Sequence, residues 1–221
     1  MTATNHFLTV SRFQRRTAAL GPGVRSVIWF HGCSFNCPGC IAAEMNSSTD
    51  FLRLSASRLA DAVLAIPEIE GVTLSGGDPF DQNLESLSAF LEQLRSRSQL
   101  SIMCYTGRLL SQLRVGINTN INEHILAMID VLVDGLYVDA LNDGSAWRGS
   151  SNQQVHFLTS RYKHLDSGIG SSRDRMVEVS LDSSARMHIT GIPPSGFMER
   201  LSGGLLARGL SMAATDKEEE A

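Results

Sequence analysis

Four short apolar runs, each closing on a polar or glycine-containing segment, constrain the fold of this chain more than any other feature. They are residues 24–30 (Val-Arg-Ser-Val-Ile-Trp-Phe), Gly71 to Leu74, Leu100 to Tyr105, and Val131 to Val133. Their length and composition predict buried strands. Between them lie stretches of helical period. Ser55 to Ile66 carries Leu59, Val63 and Ile66 and is stopped by Pro67. A second helix carries Leu84, Leu87, Phe90, Leu91 and Leu94 on one face, with Asp81 as its expected N-cap, and Ile121 to Met128 is a third. Strand, loop and helix in repetition predict an α/β domain with a mainly parallel sheet. Ligands of such sheets bind at the carboxyl ends of the strands. The segments after the strands, Gly76-Gly77-Asp78-Pro79, Tyr105-Thr106-Gly107 and Asp134-Gly135, are therefore expected on one rim.

The chain has 221 residues, enough for one domain with an appendage. Hydrophobic residues make up 43% and charged residues 19%, the balance of a soluble globular protein. A net charge of −4 with no dense basic tract argues against a nucleic-acid surface. Arg12, Arg15 and Arg16 read as a solvated N-terminal face. No apolar run approaches the ~20 residues that span a bilayer, and the N-terminus lacks the apolar core of a signal peptide, so a reducing cytoplasm is the expected compartment. The character changes past residue 160. Residues 165–175 read as a Gly/Ser-rich linker, Met176 to Leu181 and Arg186 to Thr190 as a hairpin, and Lys217 to Glu220 as a disordered acidic tail. The expected division is a core over 1–164 and an extension over 165–221.

Cys33, Cys37 and Cys40 give the loop after the first strand its chemistry. Their C-x3-C-x2-C spacing lets three thiolates hold three irons of a [4Fe–4S] cube, leaving the fourth iron open to a small molecule. The alternative is a zinc site closed by a fourth ligand, either His31 or Cys104. Four cysteines in this length, with no secretory signal, do not make a disulfide framework. Cys104, inside an apolar strand, reads as a small buried hydrophobe, and His31 as a hydrogen-bonding neighbour of the cysteine loop. His156 and His164 read as surface residues. Arg25 and Arg148 either contact a carboxylate or lie in solvent. Gly76-Gly77 is either a plain tight turn or a place where backbone closely approaches a ligand.

These segments in their order resemble radical S-adenosylmethionine enzymes. The resemblance rests on Gly21-Pro22-Gly23-Val24-Arg25, the loop from His31 to Cys40, Leu74-Ser75-Gly76-Gly77-Asp78-Pro79, the run from Asp130 to Gly135, and the stretch from Trp147 to Gln153. Within that superfamily the chain is similar to the activating proteins of anaerobic (class III) ribonucleotide reductase, part of the glycyl radical enzyme activating family, over residues ~21 to 160. The resemblance implies a partial (β/α) TIM-like barrel of the radical SAM type, with the short C-terminal β-hairpin as an extension. It implies that Cys33, Cys37 and Cys40 ligate a [4Fe–4S] cluster and that S-adenosyl-L-methionine chelates the open iron. Ser75, Gly76, Gly77 and Asp78 would meet the methionyl amine, and Tyr105, Thr106 and Asp134 would lie near the cosubstrate. Reductive cleavage would give a 5′-deoxyadenosyl radical that makes a glycyl radical on a partner enzyme, with flavodoxin or ferredoxin as reductant. The superfamily's aromatic residue before the third cysteine is Gly39 here, and Ile41 follows that cysteine, so Phe35 and Ile41 are the expected apolar contacts for adenine. Two other readings stand beside this one: a radical enzyme acting on a peptide or small molecule, and a non-catalytic iron–sulfur or zinc protein.

Overall fold

A computed structural model describes residues 7–211 except 48, 170, 171 and 173. The acidic run Lys217 to Glu220 lies outside the described residues. The strands are β1 (Leu8–Thr17), β2 (Arg25–Phe30), β3 (Leu52–Leu54), β4 (Gly71–Gly76), β5 (Ser101–Tyr105), β6 (Val131–Asp134), β7 (Gln154–Phe157), β8 (Val177–Leu181) and β9 (Met187–Gly191). The helices are α1 (Glu44–Ser47), α2 (Ala56–Leu64), α3 (Leu84–Arg97), α4 (Leu110–Leu113), α5 (Thr119–Ala127), α6 (Asp166–Ile169) and α7 (Phe197–Leu206).

Seven strands form one sheet in the order β3-β1-β2-β4-β5-β6-β7. Its centre, β2-β4-β5-β6, is parallel. Antiparallel β1, β3 and β7 flank it. The parallel strands are added in one direction, so crossovers of one hand deliver the main helices α2, α3 and α5 to one face. The core agrees. Ile28, Phe30, Val72, Leu74, Ile102 and Leu132 pack against Leu59 and Val63 of α2, Phe90 and Leu94 of α3, and Ile125 of α5. The opposite face carries Val27, Trp29, Met103, Val131 and Val133 in two smaller clusters, the first of which also holds Met45 of the short α1.

Local chemistry sets the helix starts. Ser55 Oγ accepts from Arg58 N at 3.3 Å to cap α2, and Asn83 Oδ1 accepts from Ser86 N at 2.8 Å to cap α3. The cap of α3 is thus Asn83 and not Asp81, which ends a short turn over Pro79–Asp81.

Three further expectations are corrected. The N-terminal arginines belong to β1, a ten-residue strand paired with β2; Arg15 and Arg16 are exposed as expected, and only Arg12 departs from the solvated reading, being partly buried. Arg25 is fully buried and donates to Thr73 Oγ1 (2.6 Å), Pro22 O (2.5 Å), Val72 O (3.0 Å) and Ser101 Oγ (3.3 Å), tying together the start of the parallel sheet. Residues 165–175 include α6, and Arg175 at their end is tied into the body of the protein. The hairpin that follows is β8 paired with β9, from Val177↔Gly191 to Leu181↔Met187.

Candidate functional site

At the carboxyl ends of the parallel strands, on the face opposite α2, α3 and α5, lies a cavity of about 180 Å³. Cys33, Cys37 and Cys40 line it together with Ser75, Gly76, Gly77 and Asp78 after β4, and Tyr105, Thr106 and Gly107 after β5. The parallel register explains the meeting. Trp29 pairs with Ser75 and Phe30 with Gly76, so the loops leaving β2 and β4 start side by side.

These loops touch closely because glycines let them. A Cβ on Gly77 would overlap the carbonyl of Gly32, and one on Gly107 would lie 2.6 Å from Phe35 Cδ2. Backbone approach at Gly77 therefore joins the cysteine loop to the β4 loop. Charged groups fix the same junction. Asp81 Oδ2 accepts from Ser34 N at 2.7 Å, and Arg108 Nη2 donates to Asp81 Oδ1 at 2.5 Å while its guanidinium lies over the Phe35 ring at 5.1 Å. Burial alone would raise the Asp81 carboxyl, but the bonds from Ser34 and Arg108 outweigh it and hold it below its usual value.

Asp78 is a brace. Its carboxylate accepts from Phe80 N (2.8 Å), Thr106 Oγ1 (2.9 Å) and Gly107 N (2.9 Å), and Arg108 Nη1 stands 3.3 Å away. Burial is the dominant influence and pushes this carboxyl up, against Arg108 and the three donors. The side chain expected to meet an amine is thus already engaged between two loops. Asp134 is not brought to the cavity. Val131 and Val133 pack with Met103 on the sheet face opposite the main helices, so alternation along β6 turns Asp134 to the helix-covered side. There Oδ2 accepts from Leu110 N at 2.6 Å and lies 3.0 Å from His156 Nε2. His156 is accordingly half-buried and not a surface residue, whereas His164 is exposed. Arg148 pairs with Asp143 at 3.0 Å.

The three thiols are free and partly exposed. Burial, and then the nearness of Cys37 and Cys33, raise the Cys40 thiol. Among the described residues no three His, Cys, Asp or Glu side chains already surround a single ion-sized point. The two residues considered for closing a zinc site are engaged elsewhere. His31 stacks on Phe51 at 4.1 Å with Nδ1 3.2 Å from Ser11 Oγ, and Cys104 is fully buried in the helix-side core. Three thiols spread along one cavity wall suit a cluster larger than one ion. The rest of the wall suits an amphiphilic ligand. Tyr105 Oη is buried with no hydrogen-bond partner among the described residues, and Phe35 and Ile41 line the cavity as expected.

Sequence reading missed several lining residues. Tyr137 supplies an aromatic surface and donates to Asp139 Oδ1 at 2.7 Å. Gly39 leaves room for this loop, since its Cβ would lie 3.2 Å from Asp139 Cβ. Gln153 accepts from Gly149 N and donates to Gly135 O, each at 2.8 Å, which shapes the wall after β6. Arg12 also lines the cavity, lying over Trp29 at 4.7 Å. The signal for Gln153 was its place in the Arg-Gly-Ser-Ser-Asn-Gln run; Arg12 had no signal in the local sequence.

Residues 19–156 match a family model described as a 4Fe-4S single cluster domain. The chain is also similar to proteins called anaerobic ribonucleoside-triphosphate reductase-activating protein. That of Salmonella typhimurium is 34% identical over 145 residues, covering 62% of this chain and 91% of the relative. The Escherichia coli K12 protein is 33% identical over the same length and shares. The phage T4 protein is 31% identical over 140 residues, 61% of this chain and 85% of its own. The matched region holds the three cysteines and the loops that meet at the cavity, and the chain belongs to the family of anaerobic ribonucleoside-triphosphate reductase-activating proteins.

Proposed function

We propose that the chain is a radical S-adenosylmethionine activating enzyme that generates a glycyl radical on an anaerobic ribonucleotide reductase. The observation that carries this reading is the convergence of Cys33, Cys37 and Cys40 with the β4 and β5 loops on one cavity. Cys33, Cys37 and Cys40 would hold a [4Fe–4S] cluster. When bound, cluster and S-adenosylmethionine supply the one-electron chemistry that removes a hydrogen from the partner's glycine.

The chain's own residues bind, orient and exclude water. Ser75 and the backbone of Gly76 and Gly77 meet the amine end of the cosubstrate, and Tyr105 Oη offers a donor from the β5 side. Asp78 acts through Thr106 and Gly107, keeping the two loops at their spacing. Asp81 and Arg108 hold the cysteine loop through Ser34 and Phe35. Tyr137, Phe35 and Ile41 give the cavity the apolar surface that a nucleoside needs. The main crossover helices α2, α3 and α5 on one side of a sheet wound in one direction suit a partial (β/α) barrel, and we assign the fold to that class. Flavodoxin or ferredoxin is the proposed reductant. No helix among the described residues is long and apolar enough to cross a membrane, and a reducing cytoplasm suits the free thiols.

Anaerobic reconstitution tests this. About four irons and four sulfides per chain are expected, with 5′-deoxyadenosine released from S-adenosylmethionine on reduction. A reconstituted protein that binds iron in that amount yet releases no deoxyadenosine would contradict the cosubstrate assignment.

A further inference from the structure

Part of the cavity wall comes from outside the segment that matches the cluster-domain family. Ile189, Gly191, Ile192 and Pro193 line the cavity, and they follow residue 156, where that match ends. Ile192 also packs on the cluster of Leu20, Val27, Trp29 and Met45, the apolar patch on the face opposite α2, α3 and α5.

This segment is fastened at both sides of the cavity. On one side Arg12 Nη1 donates to Ile189 O and Nη2 to Thr190 Oγ1, both at 3.2 Å, while the guanidinium covers Trp29. Thr17 Oγ1 donates to Glu178 Oε2 at 2.9 Å. On the other side Arg175 donates to Asn142 Oδ1 (2.8 Å), Ser145 O (3.0 Å), Arg148 O (2.7 Å) and Pro193 O (3.3 Å). Both arginines are partly desolvated, and burial lowers the pKa of each. Guanidinium forks spent on main-chain oxygens fix a path for the backbone, which a lone point charge would do less well. Gly191 completes the path. Its φ is +124°, and a Cβ there would lie 2.5 Å from Met176 O.

We propose that residues 175–193 are an in-cis wall of the cosubstrate cavity, with Ile192 contacting the uncharged nucleoside part of the ligand and Arg12 and Arg175 as positioning residues. The inference rests on the cosubstrate reading above. The chemistry of the wall selects this part of the ligand: Ile189, Ile192 and Pro193 present apolar atoms, while the polar groups of the site stand on the β4 and β5 loops.

The test uses cluster-loaded full-length protein and S-adenosylhomocysteine, which binds without being cleaved. Affinity is measured by equilibrium dialysis and backbone exposure by hydrogen exchange with mass spectrometry. In the parent protein the ligand should slow exchange in residues 187–192 as well as in 75–78 and 105–107. Arg12→Gln should speed exchange in 187–192 without ligand. Uncovering about 60 Å² of apolar ligand surface corresponds to roughly tenfold weaker binding. Ile192→Trp keeps the fastening but fills the cavity, so it should weaken binding about tenfold with exchange in 187–192 unchanged, while Ile192→Val should bind like the parent. A purely structural segment would leave ligand affinity unmoved in Ile192→Trp. Parental affinity in both Arg12→Gln and Ile192→Trp, with ligand protection confined to the β4 and β5 loops, would overturn the wall. Failure of the parent protein itself to bind the ligand would instead overturn the cosubstrate reading.

Discussion

Replacing Asp78 by alanine should destabilise the fold heavily, because the carboxylate serves three donors at once. Phe80 N, Gly107 N and the Thr106 hydroxyl lose their acceptor at a buried position, and Arg108 Nη1 loses its ion-pair partner. A buried donor left alone costs ~1–3 kcal/mol, so three would cost about 3–9 kcal/mol if nothing relaxed. Two effects reduce that sum. Burial has already raised the Asp78 carboxyl, which means the ionised group carries a desolvation cost that alanine removes. Arg108 keeps Asp81 as a second partner. A net loss of about 3 kcal/mol follows, and with a urea slope of about 2 kcal/mol per molar the midpoint falls by about 1.5 M. Asp78→Asn keeps one acceptor oxygen and should lose about half as much. The assay is urea unfolding followed by circular dichroism, with cluster content matched between variants so that bound metal does not bias the comparison. An alanine variant within about 0.3 M of the parent midpoint would refute the reasoning, because it would mean that the two loops do not depend on this carboxylate.

Three more outcomes follow from the same contacts. Cys37→Ala should abolish the brown colour and the iron that survives gel filtration; Cys104→Ala should keep both, and retained iron in the first or lost iron in the second would break the ligand assignment. Arg108→Ala removes the partner of Asp81 and the cover of Phe35, so the reconstituted cluster should bleach several-fold faster in a chelator challenge; an unchanged rate would show that the cysteine loop holds itself. Asp81, Asp130 and Asp143 all titrate below their unfolded value, Asp143 at about 2, so the stability they contribute is complete above about pH 4 and is lost as pH falls toward 2. In Asp130→Asn, which removes the acceptor held by Arg95, Ile102 N and Thr159, acid unfolding should be shallower over that window; an unaltered acid limb would contradict the assignment.

The central strands were legible because runs such as residues 25–30 are buried along their whole length and end at glycines or charged turns. The cysteine, Gly-Gly-Asp-Pro and Tyr-Thr-Gly segments were legible as one rim for the same reason, since parallel strands bring their carboxyl ends together. Asp134 was expected on the rim although the period of two turns it away: Val133 and Asp134 must point to opposite faces, and Val133 packs with Met103 on the face opposite the main helices. β1 was hidden by a bulge. Val10 pairs with Phe30 and Arg12 with Trp29, so the register slips between them and the alternation changes phase. Leu8, Val10 and Phe13 thereby share the helix side, while Arg12 passes to the cavity side. Its partners at Ile189 and Thr190 lie 177 and 178 residues away, a separation no local pattern can signal. The wall formed by residues 175–193 was hidden for the same reason, because the Gly/Ser-rich composition before it reads as a linker and its anchors, Arg12 and Thr17 of β1 and the loop residues Asn142, Ser145 and Arg148, are distant in sequence.

The most direct measurement is electron paramagnetic resonance on the anaerobically reconstituted, reduced protein with S-adenosylmethionine, with and without the anaerobic ribonucleotide reductase of the same organism. A doublet glycyl radical signal that appears only when both proteins and the cosubstrate are present, and is absent with Cys37→Ala, is the predicted result. Deoxyadenosine release without any glycyl signal on the reductase would contradict the assignment of that enzyme as the substrate.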